Sequence, residues 1–316
     1  MKKNILVPIV TALLVVMIAM SCSAAYPERE ITIIVPFGTG GETDTALRII
    51  SPKLGEILGV PVTVVNRSGG GGAVGMTEVA KAKPDGYTLG AMTEACIVAQ
   101  PHLMDLLYDI ESFEYVNGLF QYLYGVTVRA DSPYKTFEDL VEEAKKRPVF
   151  YSVGSFANTV PMVQINEKYG TQFEEILYES GGDSVLGLLR AEVEATVQQP
   201  TTVAPHIKSG EFRVIAPTGR NRWLVAPDVP ILSEQGYDVV YQGAGAIVAP
   251  AGTPQGVIDA LSAAFDEVFA DEDMCNKWLK ITGYNPELMS GPDVKAGFAE
   301  RHALVGRIFK QMGVID

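Results

Sequence analysis

Gly70, Gly72 and Gly75 spell G-x-G-x-x-G within the stretch TVVNRSGGGGAVGMTEVAKA, residues 63–82. An apolar run, Val62 to Val65, precedes these glycines and a helical pattern follows them. Glycines spaced this way between strand and helix let a backbone approach a pyrophosphate, and an acid about 20 residues later holds a ribose hydroxyl. Glu94 stands 19 residues past Gly75. Two features oppose a nicotinamide or flavin site. Asn66-Arg67-Ser68 separates strand from glycines where a dinucleotide turn is tight, and the unit is the second βα pair of its sheet. The competing reading is a wide glycine loop, without cofactor, that lets residues 73–82 pack on the sheet or shapes a cleft rim.

The stretch PFGTGGETD, Pro36 to Asp44, carries a different chemistry. It follows the first strand, and open α/β sheets bind ligands beyond the carboxyl ends of their strands. Gly38, Gly40 and Gly41 free backbone N–H groups to point at one spot, and the next helix adds its positive end. That is an anion nest with no Lys or Arg. Phe37, Gly38, Thr39, Gly40, Gly41 and Asp44 are its candidate ligand contacts, Asp44 either bracing the loop or taking an amino or hydroxyl group. No G-K-[ST] follows, so this is not a nucleotide P-loop. VGSFANTVP (Val153 to Pro161) and ESGGDS (Glu179 to Ser184) repeat the logic further on. They nominate Gly154, Ser155, Asn158 and Thr159 as a clamp, with Gly181, Gly182, Asp183 and Thr93 at the sides. Each loop alone is equally well a helix cap.

Catalytic patterns are thin. Gly182-Asp183-Ser184 resembles the nucleophile block of GDS-type hydrolases, but Ala299 and Val203 stand where a D-x-x-H would put its Asp before His302 or His206. No G-x-S-x-G occurs, and the three histidines form no H-x-x-x-H, so neither catalytic residues nor a metal are expected. An exported nicotinamide-dependent or hydrolytic enzyme remains the alternative class.

The elements around these loops alternate. ITIIVP (31–36), a helical pattern over 43–58, a strand at 62–65, a helix at 73–82 and a strand at 87–92 make β-α-β-α-β, hence a parallel sheet. Residues 113–133 read as a long extended segment. A second α/β unit follows, with helices at 136–146, 160–168, 184–190 and 202–208 and strands at 149–153, 175–178, 193–197 and 212–216. A second extended stretch, Val239 to Pro250, carries the chain back, and amphipathic helices from Thr253 onward close the first unit. The expected organisation is lobe 1 from 26–123 and 239–316, and lobe 2 from 124–238. Two α/β lobes on two extended crossovers form a clamshell that closes on a ligand.

Lys2 and Lys3, the uncharged run Ile5 to Met20 and small residues to Ala25 read as an export signal over 1–25, too short for a comfortable span. Cleavage after Ala24 or Ala25 releases a soluble protein; cleavage before Cys22 leaves a lipidated, tethered one. Removing residues 1–25 takes away two lysines and no acid, so the net charge of −13 becomes −15. A body this acidic does not suit nucleic acid. Cys96 and Cys275, 179 positions apart, are expected as separate buried thiols rather than a disulfide framework.

Taken in order and spacing, ITIIVPFGTGGETDTALRII, GVPVTVVNRSGGGGAVGMTEVAKAKPDGYTLG, HIKSGEFRVIAPTGRNR, APDVPILSEQGY and IVAPAGTP resemble the Bug family, the extracytoplasmic receptors of tripartite tricarboxylate transporters. The resemblance runs from about Tyr26 to the C-terminus. It implies a periplasmic-binding-protein-like α/β fold, a monomer, no cofactor, membrane transporter subunits as partners, and a small carboxylate held by the loops matching Pro36–Asp44 and Gly154–Thr159. Di- and tricarboxylates, amino acids and aromatic acids are all family ligands. A receptor recruited as sensor for a membrane kinase is the other role such a chain can take. The second loop departs from the usual G-S-x-G-x-G-S, with Phe156 and Asn158 inside it and Pro161 near the expected His. Phe37, Met92, Tyr122, Tyr124 and Phe156 are expected to make the pocket apolar, leaving an aromatic or longer acid open.

Overall fold

A continuously apolar strand needs cover on both faces, and that requirement organises the first half of the molecule. In the computed structural model, which describes residues 26–154, 156–178, 180–311 and 313–315 (backbone alone for Phe156), Ile31–Val35 forms β1. Its side chains alternate between two cores. Ile31, Ile33 and Val35 pack with Leu47, Ile50 and Leu54 of α1 (Glu42–Leu58), while Ile34 packs with Met76 and Val79 of α2 (Ala73–Ala80). β1 pairs in parallel with β2 (Val62–Asn66) and with β3 (Thr88–Thr93), the expected β-α-β-α-β unit. After β3 the chain makes one π-helical turn, Ala95–Ala99, and a short helix α3, Gln100–Leu103. The hydrophobic periodicity predicts no element there.

β4 (Phe113–Tyr122) continues within a few residues into β5 (Gly125–Arg129), which belongs to a second sheet. That sheet also contains β6 (Val149–Val153), β7 (Phe173–Leu177), β8 (Ala195–Gln198) and β9 (Phe212–Pro217), in the order β7-β6-β8-β5-β9. Its helices are α4 (Phe137–Ala144), α5 (Val160–Tyr169), α6 (Gly181–Leu189) and α7 (Pro200–Lys208). Thr136 caps α4 with a reciprocal box: its side chain accepts from the Asp139 N–H, and Asp139 accepts from the Thr136 N–H at 2.9 Å. α6 begins at Gly181, three residues before the expected start at Ser184, because the Ser180 hydroxyl accepts from the Asp183 N–H and caps it.

The chain returns through β10 (Gly243–Pro250), antiparallel to both β3 and β4. Helices α8 (Gln255–Ala270), α9 (Glu272–Thr282) and α10 (Gly291–Gln311), with the short β11 (Met289–Ser290), complete the first lobe. Its sheet order is β11-β4-β10-β3-β1-β2. The molecule is thus two α/β lobes joined by two extended crossovers. Thr218 ties the crossovers together: its N–H donates to Tyr124 O at 2.9 Å, its hydroxyl to Tyr241 O at 2.9 Å, and its carbonyl accepts from the Tyr241 N–H. The Tyr124 and Tyr241 rings stack at 5.8 Å beside this knot. Among the described residues no helix is long and apolar enough to cross a membrane.

Candidate ligand-binding cleft

The carboxyl ends of β3 in one lobe and of β6 and β7 in the other turn toward the same gap, which Glu94, Gly154, Leu177 and Tyr178 line. At the end of β1, Gly38 to Gly41 are exposed, and ideal Cβ atoms on Gly38 and Gly40 would meet open space. Asp44, 3% exposed, holds this loop from below. Its Oδ2 accepts from the Gly40 N–H at 2.9 Å; its Oδ1 accepts from Arg48 Nε at 3.0 Å and Asn66 Nδ2 at 2.9 Å. The Asn66 amide also donates to Phe37 O at 3.0 Å. Burial opposes ionisation of Asp44, but the Arg48 guanidinium, the Gly40 N–H and the Asn66 amide together hold its carboxyl below the ordinary value. Of the two roles open to Asp44, the geometry is that of the brace. Gly40's N–H is therefore turned inward, while the N–H groups of Gly38, Thr39 and Gly41 find no acceptor among the described residues.

The glycine cluster beside it is a packing device. Gly69 to Gly72 all have positive φ, from 55° to 138°, which L side chains rarely adopt. A Cβ on Gly71 would collide with the Gln100 side chain, and one on Gly72 with Cys96 Sγ. One on Gly75 would lie 2.9 Å from Pro36 Cα and 2.8 Å from Arg67 O. The glycines let the second βα turn slide under the Pro36 loop and against the π-turn. Glu94, the residue placed for a ribose, is 3% exposed and committed elsewhere. Its carboxylate accepts from the Tyr241 hydroxyl and the Ala244 N–H, both at 2.9 Å, and pairs with Arg301 Nε at 3.2 Å. Burial raises its pKa against the pull of Arg301. Glu94 thus joins β3, the return crossover and α10. Among the described residues Arg301 has no other charged partner, and its Nε and Nη2 are buried without a hydrogen-bond acceptor.

Thr93, also buried, contacts Cys96 through its hydroxyl at 3.4 Å. In the second lobe, Gly154 lies against Gly181 so closely that a Cβ on Gly154 would overlap the Gly181 backbone. Asn158 is 5% exposed and donates to Val197 O at 2.7 Å; Thr159 is 1% exposed and bonds Glu175. Both side chains are engaged inside their lobe. Gly181, Gly182 and Asp183, expected in a loop, form the first turn of α6, where Asp183 bonds Ser180 Oγ at 2.6 Å. Ser155 and Cys22 lie outside the described residues, as does the Phe156 side chain. Ser184 is fully buried between Ser152, Thr196 and Gln198, so the hydrolase-like Gly182-Asp183-Ser184 offers no accessible nucleophile. Cys96 is buried and Cys275 half-buried, both free thiols.

Between the lobes is a cavity of about 320 Å³. Its walls are Glu94, Ala95, Val98, Ala99, Gln100 and Leu103 with Val305 and Phe309 from the first lobe, Gly154, Ala157, Leu177 and Tyr178 from the second, and Tyr241 from the crossover. This differs from the expected apolar set. Met92 is buried in the core, Tyr124 is buried against Tyr241, and Tyr122 bonds Thr43 at 3.3 Å. The unexpected wall comes from Ala95–Leu103 and α10. The one signal for it is small and apolar Ala95, Val98 and Ala99 directly after a strand, a pattern that a buried helix start also gives. His102 and His302, 200 residues apart, stack at 4.1 Å behind that wall.

With this geometry, comparison with known proteins is direct. The pattern of the tripartite tricarboxylate transporter family receptors matches residues 46–314. A UPF0065 protein of Bordetella bronchiseptica is 33% identical over 276 residues, 85% of this chain and 82% of its own length. A TctC solute binding protein from Polaromonas, solved without ligand, superposes with a TM-score of 0.81 at 25% identity, over 90% of this chain and 99% of that one. An R. palustris protein solved with adipate gives 0.74 at 25% identity, over 91% and 98%. The chain shares its fold with these solute binding proteins over nearly their whole length, and it belongs to the tripartite tricarboxylate transporter receptor (TctC/Bug) family.

Proposed function

We propose that the protein is an extracytoplasmic solute receptor that binds one small organic carboxylate between its lobes and delivers it to the membrane subunits of a tripartite tricarboxylate-type transporter. The observation that carries this reading is the exposed Gly38–Gly41 loop, whose Gly38, Thr39 and Gly41 N–H groups have no acceptor among the described residues and whose shape is fixed from below by Asp44. Backbone donors at a helix start hold a carboxylate without a cation, and ordered water extends their reach. The adipate in the R. palustris structure supports the ligand class. In the second lobe the roles reduce to Gly154 and its neighbours as backbone donors, with Asn158 and Thr159 setting the loop from inside. The exported chain works as a monomer, free or tethered through Cys22.

Thermal-shift measurement against a panel of organic acids tests the proposal. At least one acid should raise the melting temperature in a saturable way, and Gly41→Pro, which removes an outward N–H, should abolish the rise. A panel with no stabilising acid contradicts it.

A further inference from the structure

The cleft has two chemically unlike ends. One is the N–H-lined Gly38–Gly41 loop. The other is the chamber of about 320 Å³ beside α10, roughly ten water volumes. The chamber is lined mostly by carbon: Val98, Ala99, Leu103, Leu177, Val305 and Phe309 face it. Among the described residues no Lys, Arg or His lines it. The one titratable acid among the described lining residues is Glu94. Arg301, next to it, is paired to Glu94 and is not part of the lining. Leu103 and Leu177, from opposite lobes, are 39% and 47% exposed, so apolar surface stands uncovered at this face of the cleft. The two ends are linked through the glycine turn: the Phe37 ring lies against Gly72, and the neighbouring Gly71 lies against Gln100 of the chamber wall.

Resting on the receptor reading above, we infer that the ligand is a monocarboxylate with an apolar body, its carboxylate on the Gly38–Gly41 loop and its hydrocarbon part in the chamber between residues 94–103 and α10. A second carboxylate at the far end would be desolvated against a carbon lining in which the described residues supply no Lys, Arg or His, which disfavours compact di- and tricarboxylates. A hydrocarbon chain there gains about fourfold in affinity per methylene buried. Because the chamber walls come from both lobes, filling it also favours closure.

Calorimetric titration of the exported chain compares acetate, butyrate, hexanoate, adipate and malate. The expected result is affinity that climbs from acetate to hexanoate, with hexanoate at least tenfold tighter than adipate, its dicarboxylate counterpart. Ala99→Phe, which places a ring in the chamber, should flatten the climb in affinity from acetate to hexanoate. Adipate or malate binding as tightly as hexanoate overturns the inference and leaves the receptor reading standing. An Ala99→Phe variant that folds and binds hexanoate undiminished does the same. No binding by any of the five acids overturns both.

Discussion

Asp44→Ala removes the brace under the proposed anion loop, and its cost follows from the contacts. Three donors lose their acceptor: the Gly40 N–H, Asn66 Nδ2 and Arg48 Nε. Hydrogen bonds to a charged group are worth about 1.5–3 kcal/mol each when buried. Here the discount is large. The Arg48 side chain is 48% exposed, so that pair is worth less than about 1 kcal/mol. Gly40 is exposed and its N–H regains water. Asn66 keeps its bond to Phe37 O. The net loss is about 2–3 kcal/mol, or a melting temperature lower by about 3–5 °C for a chain of this size. The sign with pH is fixed. Asp44 has a depressed pKa in the fold, so its stabilisation is present above the ordinary carboxylate value and is lost as pH falls through the lower, folded one. Differential scanning calorimetry at pH 7 and pH 3 reads both effects: the gap between wild type and Asp44→Ala should be wide at pH 7 and narrow at pH 3. Carboxylate affinity at pH 7 should fall at least tenfold as the loop loses its fixed shape. A melting temperature within 1 °C of wild type at pH 7 would refute the brace.

Glu42 behaves in the opposite sense: burial pushes its pKa up to about 7 despite a bond from Tyr284, so ionising it opposes folding. Its contribution should decline between about pH 4.5 and 7, by up to about 3 kcal/mol, and Glu42→Gln should flatten that slope in urea titrations across the range. Glu94→Ala leaves Arg301 buried without its counter-charge and should cost about 3–5 kcal/mol, much of it recovered in the Glu94→Ala/Arg301→Met double variant; equal stability of single and double variants in denaturant melts would contradict the pairing. Gly72→Ala, at φ 101° and facing Cys96 Sγ, should destabilise by more than about 2 kcal/mol, with Cys96→Ala relieving the collision but not the backbone strain, as a double-mutant cycle by urea denaturation would show.

The β-α-β-α-β start and the return to the first lobe are legible in the sequence because continuous apolar runs and 3.6-period helices carry their own signal. Thr136, a cap-forming residue directly before an apolar and acidic helical run, caps α4, and the structure adds Asp139 as the reciprocal partner. The start of α6 is hidden because Gly181 and Gly182 read as loop, whereas the Ser180 cap outweighs their poor propensity. At the site, the Pro36–Asp44 loop stands out through its glycines and its position after β1. The direction of each polar side chain does not. Asn158 and Thr159 turn inward because β8 and Glu175 supply acceptors that lie 39 and 16 residues away. The chamber wall is hidden for the same reason: Val98, Leu177 and Phe309 meet only through tertiary packing. The G-x-G-x-x-G of residues 70–75 shows the limit of motif spacing, since Gly75 faces Pro36 and Gly72 faces Cys96 rather than any open site.

The central claim is that a carboxylate closes the two lobes on each other. Small-angle X-ray scattering of residues 26–316, with and without a saturating acid identified by thermal shift, measures this directly. The account predicts a smaller radius of gyration with ligand at unchanged mass, and no such change in Gly41→Pro. Saturable binding with an identical scattering profile would contradict it.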